Sequence, residues 1–112
     1  MLNVFVSRQR PHYDYEVNIN KKFEEASRNL KEQGVAKFAF MTDAVLKGQP
    51  ANYPDIDILI FKNDKLFANV EIKKSLSAPQ ILNRALAIAS RTATQINLPL
   101  CIVCSEEELY YS

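Results

Sequence analysis

At 112 residues, with 47% hydrophobic content and only two glycines, the chain has the make-up of one compact domain able to form a core, not of a disordered segment. No apolar run has the roughly twenty residues of a membrane span, and Met1-Leu2-Asn3-Val4-Phe5-Val6 lacks the basic region and long apolar core of a signal peptide. The expectation is a single domain over residues 1–112, cytoplasmic or in a bacterial nucleoid, with no membrane partner. A net charge of +1 leaves any nucleic-acid affinity to local patches rather than to the overall field.

Met1 to Val6 alternates enough for a short strand or a packed arm. Arg8, Arg10, His12, Tyr13 and Tyr15 follow, with Pro11 breaking regular structure. Basic residues interleaved with aromatics suit a phosphate backbone and stacked bases; the competing reading is a solvated loop with its tyrosines packed on the domain. Asn18 to Gln33 reads as an amphipathic helix, with Ile19, Phe23, Ala26 and Leu30 on one stripe. Asn18 or Asn20 is the expected cap, and Gly34 the stop. Glu24 and Glu25 lie off the stripe, and Glu16 joins it only if the helix begins earlier, so all three read as surface charges. Val35 to Leu46 reads as a strand, with Asp43 as a turn residue near its end. Lys47 to Tyr53, with Gly48 and Pro50, reads as a loop delivering the chain to Pro54.

The chemistry concentrates in the next stretch. Pro54-Asp55-Ile56-Asp57-Ile58-Leu59-Ile60-Phe61 and Leu66-Phe67-Ala68-Asn69-Val70-Glu71-Ile72-Lys73 read as two strands around the turn residues Asn63-Asp64. Glu71 and Lys73 face one side, because strand side chains alternate. A two-residue turn would pair Ile56 with Glu71. A three-residue loop of Asn63, Asp64 and Lys65 pairs Phe61 with Phe67, Asp57 with Glu71 and Asp55 with Lys73. The second register is preferred, since a one-residue slip sends every side chain to the wrong face. It gathers three acids and a lysine and leaves the isoleucines to pack opposite. Converging carboxylates suit Mg²⁺, a hard cation that takes oxygen ligands and keeps several waters. A lysine beside them can orient or activate water and stabilise charge on a phosphate.

Beyond Lys73, Ser77-Ala78-Pro79-Gln80 reads as a capping box opening a helix that runs to about Ile96. Its apolar arc of Ile81, Leu82, Ala85, Ile88, Ala89, Thr92, Ala93 and Ile96 suits a sheet surface. Gln80, Arg84, Ala87 and Arg91 form the opposite stripe, whose arginines, with Lys74, are candidates to hold phosphates. Asn97-Leu98-Pro99 turns into a strand, Leu100–Cys104. There Cys101 and Cys104 point to opposite faces, as buried free thiols rather than a metal or disulfide pair. Ser105 to Glu108 reads as an acidic turn or short helix, and Tyr110 and Tyr111 end the chain. Helix, strand, strand, strand, helix, strand makes an α/β fold, a mixed sheet with a helix on each side.

Pro54-Asp55, or Ile56-Asp57 one step on, followed by Glu71-Ile72-Lys73, resembles the PD-(D/E)xK nuclease superfamily. The look is nearest to the N-terminal nuclease domain of type I restriction motor subunits, with a similar hairpin, a helix after the lysine and then an apolar strand. The resemblance spans roughly Asn18 to the C-terminus. It implies a restriction-endonuclease-like αβββαβ core and a Mg²⁺-dependent DNA endonuclease, with Mn²⁺ as a substitute. Catalytic residues would be Asp55, Asp57, Glu71 and Lys73; Asp55 or Asp57, with Glu71, would hold the metal. Lys74, Gln80, Arg84 and Arg91 would contact substrate, Gln80 being either a helix cap or the glutamine with which some relatives support their site. Many relatives also place a glutamate of the first helix near the metal. Without a recognition motif, such a core acts on DNA non-specifically, by structure, or as a homodimer or part of a larger nuclease complex. The alternative is a non-catalytic nucleic-acid-binding or assembly module of the same fold, its acids and Lys73 forming only an ion-pair network.

Overall fold

The computed structural model describes residues 4–48 and 55–112. Pro54, the loop residues 49–53 and the first three residues of the expected N-terminal strand lie outside them. The elements are β1 (Phe5–Ser7), α1 (Asp14–Glu32), β2 (Phe38–Leu46), β3 (Ile56–Lys62), β4 (Lys65–Ile72), α2 (Pro79–Gln95), β5 (Leu100–Cys104) and β6 (Leu109–Tyr111). They build one six-stranded sheet in sequence order. Every pair is antiparallel except β4 and β5, which the α2 crossover makes parallel. The expected α/β class with a mixed sheet holds. It is extended by β6, which was read only as a terminal tail: Ser105 N–H donates to Glu108 O at 2.9 Å, so the acidic run turns a hairpin onto β5 instead of opening a helix.

Both helices start differently from expectation. α1 begins at Asp14, because the Glu16 carboxylate accepts the Tyr13 backbone N–H at 3.0 Å and closes the first turn before Asn18 is reached. Asp14 and Glu16 also sit at the positive end of the helix dipole. At the far end Gly34 takes φ +72° as anticipated, with Val35 N–H donating to Leu30 O at 2.9 Å. α2 has Ala78 at its cap with no side-chain hydrogen bond, and Pro79 in the first turn. The Ser77 hydroxyl bonds that of Ser75 instead, so the Ser77–Gln80 capping box does not form.

The hairpin register combines the two alternatives. Asn63 (φ 49°) and Asp64 (φ 65°) are both left-handed, which makes a two-residue turn pairing Lys62 with Lys65 and Phe61 with Leu66. The expected three-residue loop and the Phe61–Phe67 rung are absent. Between Ile60 and Phe61 the register then shifts, Phe67 being the extra residue of a bulge. From there Ile60 pairs with Ala68, Leu59 with Asn69 and Ile58 with Val70. Beyond that last pair the expected convergence of three acids on one face is not formed: Asp55 and Glu71 line a cavity on the α2 side, and Asp57 opens onto the α1 side.

The sheet is buried on both faces. Against α1 lie Ile58, Ile60, Val70, Ile72 and Ile102, packed on Ile19, with Phe23 meeting Phe40 at 6.2 Å between ring centres. Against α2, Ala85, Ala89 and Ala93 let the helix approach Cys101 and Val103 closely. Phe5, Ala44, Leu59 and Phe61 extend the apolar set on the β1 side. The two cysteines are free, buried and in opposite layers, as read from their spacing. Fully buried Ile58, Leu59, Val70 and Val103 each contribute roughly 1.5–3 kcal/mol of apolar burial.

Candidate functional site

Antiparallel pairing brings the start of β3, the end of β4, the end of β2 and the start of α1 to one end of the sheet. Five of the chain's acids collect there in two groups of opposite character.

The first group was not foreseen. Asp43, read as a turn residue, is 1% exposed and adopts φ +50° within β2. Its carboxylate meets His12 Nε2 at 2.6 Å and Arg10 Nε at 2.9 Å. Glu16, read as a surface charge, is buried and takes Arg10 Nη2 at 2.6 Å. That contact, with the Tyr13 N–H, holds the Glu16 carboxyl below its usual range despite burial. The acceptor carboxylates raise the Arg10 guanidinium in turn. The segment with Arg10 and His12 is thus strapped down by acids. The signal lay in the helix start: counted from Asp14, Glu16 shares a face with Ile19 and Phe23.

The second group carries the sequence candidates. Burial pushes the Asp57 carboxyl up to about 7; its Oδ2 accepts the Ile72 backbone N–H at 2.8 Å, which pulls the other way, and repulsion from Glu71 and Glu16 adds to the rise. The Glu71 carboxyl is also raised by burial, against the pull of Lys73, whose Nζ stands 3.5 Å from Glu71 Oε1. The Lys73 backbone N–H donates to Cys104 O at 2.9 Å and ties this end of β4 to β5. Asp55 pairs with Arg8 Nη1 at 3.3 Å.

Asp55 and Glu71 line a cavity of about 420 Å³ between the sheet and α2, with Arg91 and Gln95 on its helix wall. Asp57 borders a narrow cleft on the α1 side with His12, Glu16 and Asn20. Lys74, Gln80 and Arg84 are exposed and do not line the cavity; Arg91 is the one substrate candidate that does. Among the described residues no group of three or more His, Cys, Asp or Glu side chains is placed to hold a metal ion. Asp57 and Glu71 both offer oxygen, and the burial that raises each is offset only in part, by the Ile72 N–H for Asp57 and by Lys73 for Glu71.

No family model, curated protein or solved structure matches the chain. Among the described residues no helix is long and apolar enough to cross a membrane.

Proposed function

We propose that the chain is a Mg²⁺-dependent DNA endonuclease core of the PD-(D/E)xK kind, with the restriction-endonuclease-like topology that this kind shares. The observation that carries the reading is a pair of half-buried carboxylates at one end of a hairpin, Asp57 in the cleft on the α1 side and Glu71 in the cavity on the α2 side, both raised by burial, with Lys73 at 3.5 Å from Glu71. Such a pair is unfavourable as an isolated structural element and favourable as a cation site.

In this reading Asp55 or Asp57, with Glu71, would hold the ion, Asp55 and Glu71 sharing the cavity wall. The bound ion would supply a Lewis acid for the phosphate and a more acidic water. Glu71 keeps the Lys73 amine at the site, where it orients the attacking water and stabilises charge on the phosphate. Arg91 holds the neighbouring backbone. One such site cuts one strand, so a duplex break takes a homodimer or a larger complex.

The test is cleavage of plasmid, single-stranded and branched DNA with Mg²⁺ or Mn²⁺. Lys73→Ala is expected to lower the rate by about 10²-fold or more, and an unchanged rate overturns the assignment. The second reading, a non-catalytic binding or assembly module, draws on the near-neutral charge and on the lack, among the described residues, of three acids placed to hold a metal ion. Calorimetry with Mn²⁺ separates the two: no binding, or binding unaffected by Glu71→Ala, favours the module.

A further inference from the structure

The cavity beside Glu71 is larger than phosphodiester hydrolysis needs. At about 420 Å³ it falls among pockets that take small organic molecules, roughly 300–1,000 Å³. Val45, Leu46, Ile56, Ile88 and Ile96 make its walls mostly apolar, a poor surface for a sugar-phosphate backbone. Its charged groups, Asp55, Glu71 and Arg91, belong to the proposed cutting site, so whatever fills the cavity lies next to the bond being broken.

Asn69 says what chemistry the occupant brings. It stands in a central strand of the sheet and is 2% exposed. Its Nδ2 donates to Ala89 O of α2 at 3.1 Å, which fixes the amide on the α2 side of the sheet. Its Oδ1 has no hydrogen-bond partner. An unsatisfied acceptor buried beside an apolar cavity is unfavourable, and a ligand N–H would remove the penalty. A flat, largely apolar group with N–H donors on its edge is the chemistry of a nucleobase; enzymes that hold one outside a duplex do so in a close-fitting apolar pocket and read its edge by hydrogen bonds.

We propose, building on the nuclease reading, that this cavity receives a single unpaired nucleobase from the strand held at Glu71 and Lys73. The substrate is then DNA with an unpaired nucleotide at the cut, such as a single strand or a flap, rather than continuous duplex. Arg91 at the mouth would take the adjoining phosphate while the base enters between α2 and the sheet.

The experiment uses an oligonucleotide carrying 2-aminopurine, in EDTA so that no cleavage intervenes. Free in single strand, the probe should change fluorescence on binding; placed inside a perfect duplex it should not. Thr92→Phe, on the helix wall, fills the cavity and should abolish the change and weaken single-strand binding by about tenfold, the scale of one held base. Ile88→Phe serves as a second filler if circular dichroism shows Thr92→Phe unfolded. An equal response from duplex and single strand, no response from either, or a filler variant that keeps the response, overturns the proposal. Cleavage with Mg²⁺ is read separately. A base response without cleavage by any substrate removes the nuclease reading and leaves the pocket, whereas cleavage without a base response does the reverse.

Discussion

Two acid groups sit at the same end of the sheet, and their surroundings treat them in opposite ways. Asp43 and Glu16 meet Arg10 and His12 directly, and the Glu16 carboxyl is held below its ordinary range. Asp57 and Glu71 are half-buried with one backbone N–H and one lysine between them, and both are raised. Two acids, met by the Arg10 guanidinium and the His12 ring, make a clasp that fastens residues 10–12 to β2 and α1. Two acids against one amine leave a deficit of positive charge. It is the imbalance, not the number of acids, that separates a clasp from a candidate reaction centre.

The largest expected effect breaks the clasp. Arg10→Met leaves Glu16 and Asp43 buried with a cation removed, and should lower stability by roughly 3–5 kcal/mol in urea unfolding. A loss under about 1 kcal/mol would place Arg10 among ordinary surface ion pairs.

Next comes the pH profile set by Asp57. Its folded value of about 7 lies above the ordinary aspartate value of 3.8, so the folded state holds the proton more tightly. The contribution of Asp57 to stability should therefore be fully present below about pH 4, fall as pH rises to about 7, and level off beyond, by at most about 4 kcal/mol, while that of Glu16 runs the other way at low pH. Asp57→Asn, which keeps an oxygen for the Ile72 N–H, should flatten this slope and be more stable than the parent at pH 8 while losing cleavage. Parallel slopes for parent and variant would show that Asp57 is not the titrating group.

The smallest effect sharpens the contrast. Glu71→Gln should gain stability at pH 8 with the same sign but less than Asp57→Asn, because Lys73 already offsets part of the Glu71 burial. A gain larger than that of Asp57→Asn would reverse the ranking of the two carboxyls.

How far these features can be read from the chain depends on how local their causes are. Alternation places Cys101 and Cys104 in different layers, because a strand leaves no other choice. Gly34 ends α1 through its own backbone freedom. The pairing of Ile60 with Ala68 and Ile58 with Val70 follows from asking which face the isoleucines need, a requirement acting over several rungs at once. The three-residue loop does not form: the left-handed preference of Asn63 and Asp64 wins at the tip, and the mismatch is absorbed at Phe67. Glu16 and Asp43 were misread because their partners, Arg10 and His12, are identified by tertiary placement and not by spacing. The strand β6 escaped for a related reason. Its three residues are all exposed and carry no burial pattern; their pairing with β5 defines them.

The bulge at Phe67 has a consequence for how this hairpin can vary. A deletion of that residue would leave a regular two-residue hairpin whose outer rungs still set Ala68 across from Ile60 and Val70 across from Ile58. The tip can therefore shorten by one residue without sliding the acids out of alignment, whereas the same deletion between Ala68 and Val70 would turn the strand over and carry Glu71 and Lys73 to the α1 side. Tolerance of length change should be confined to the few residues around the turn and vanish abruptly at Ala68.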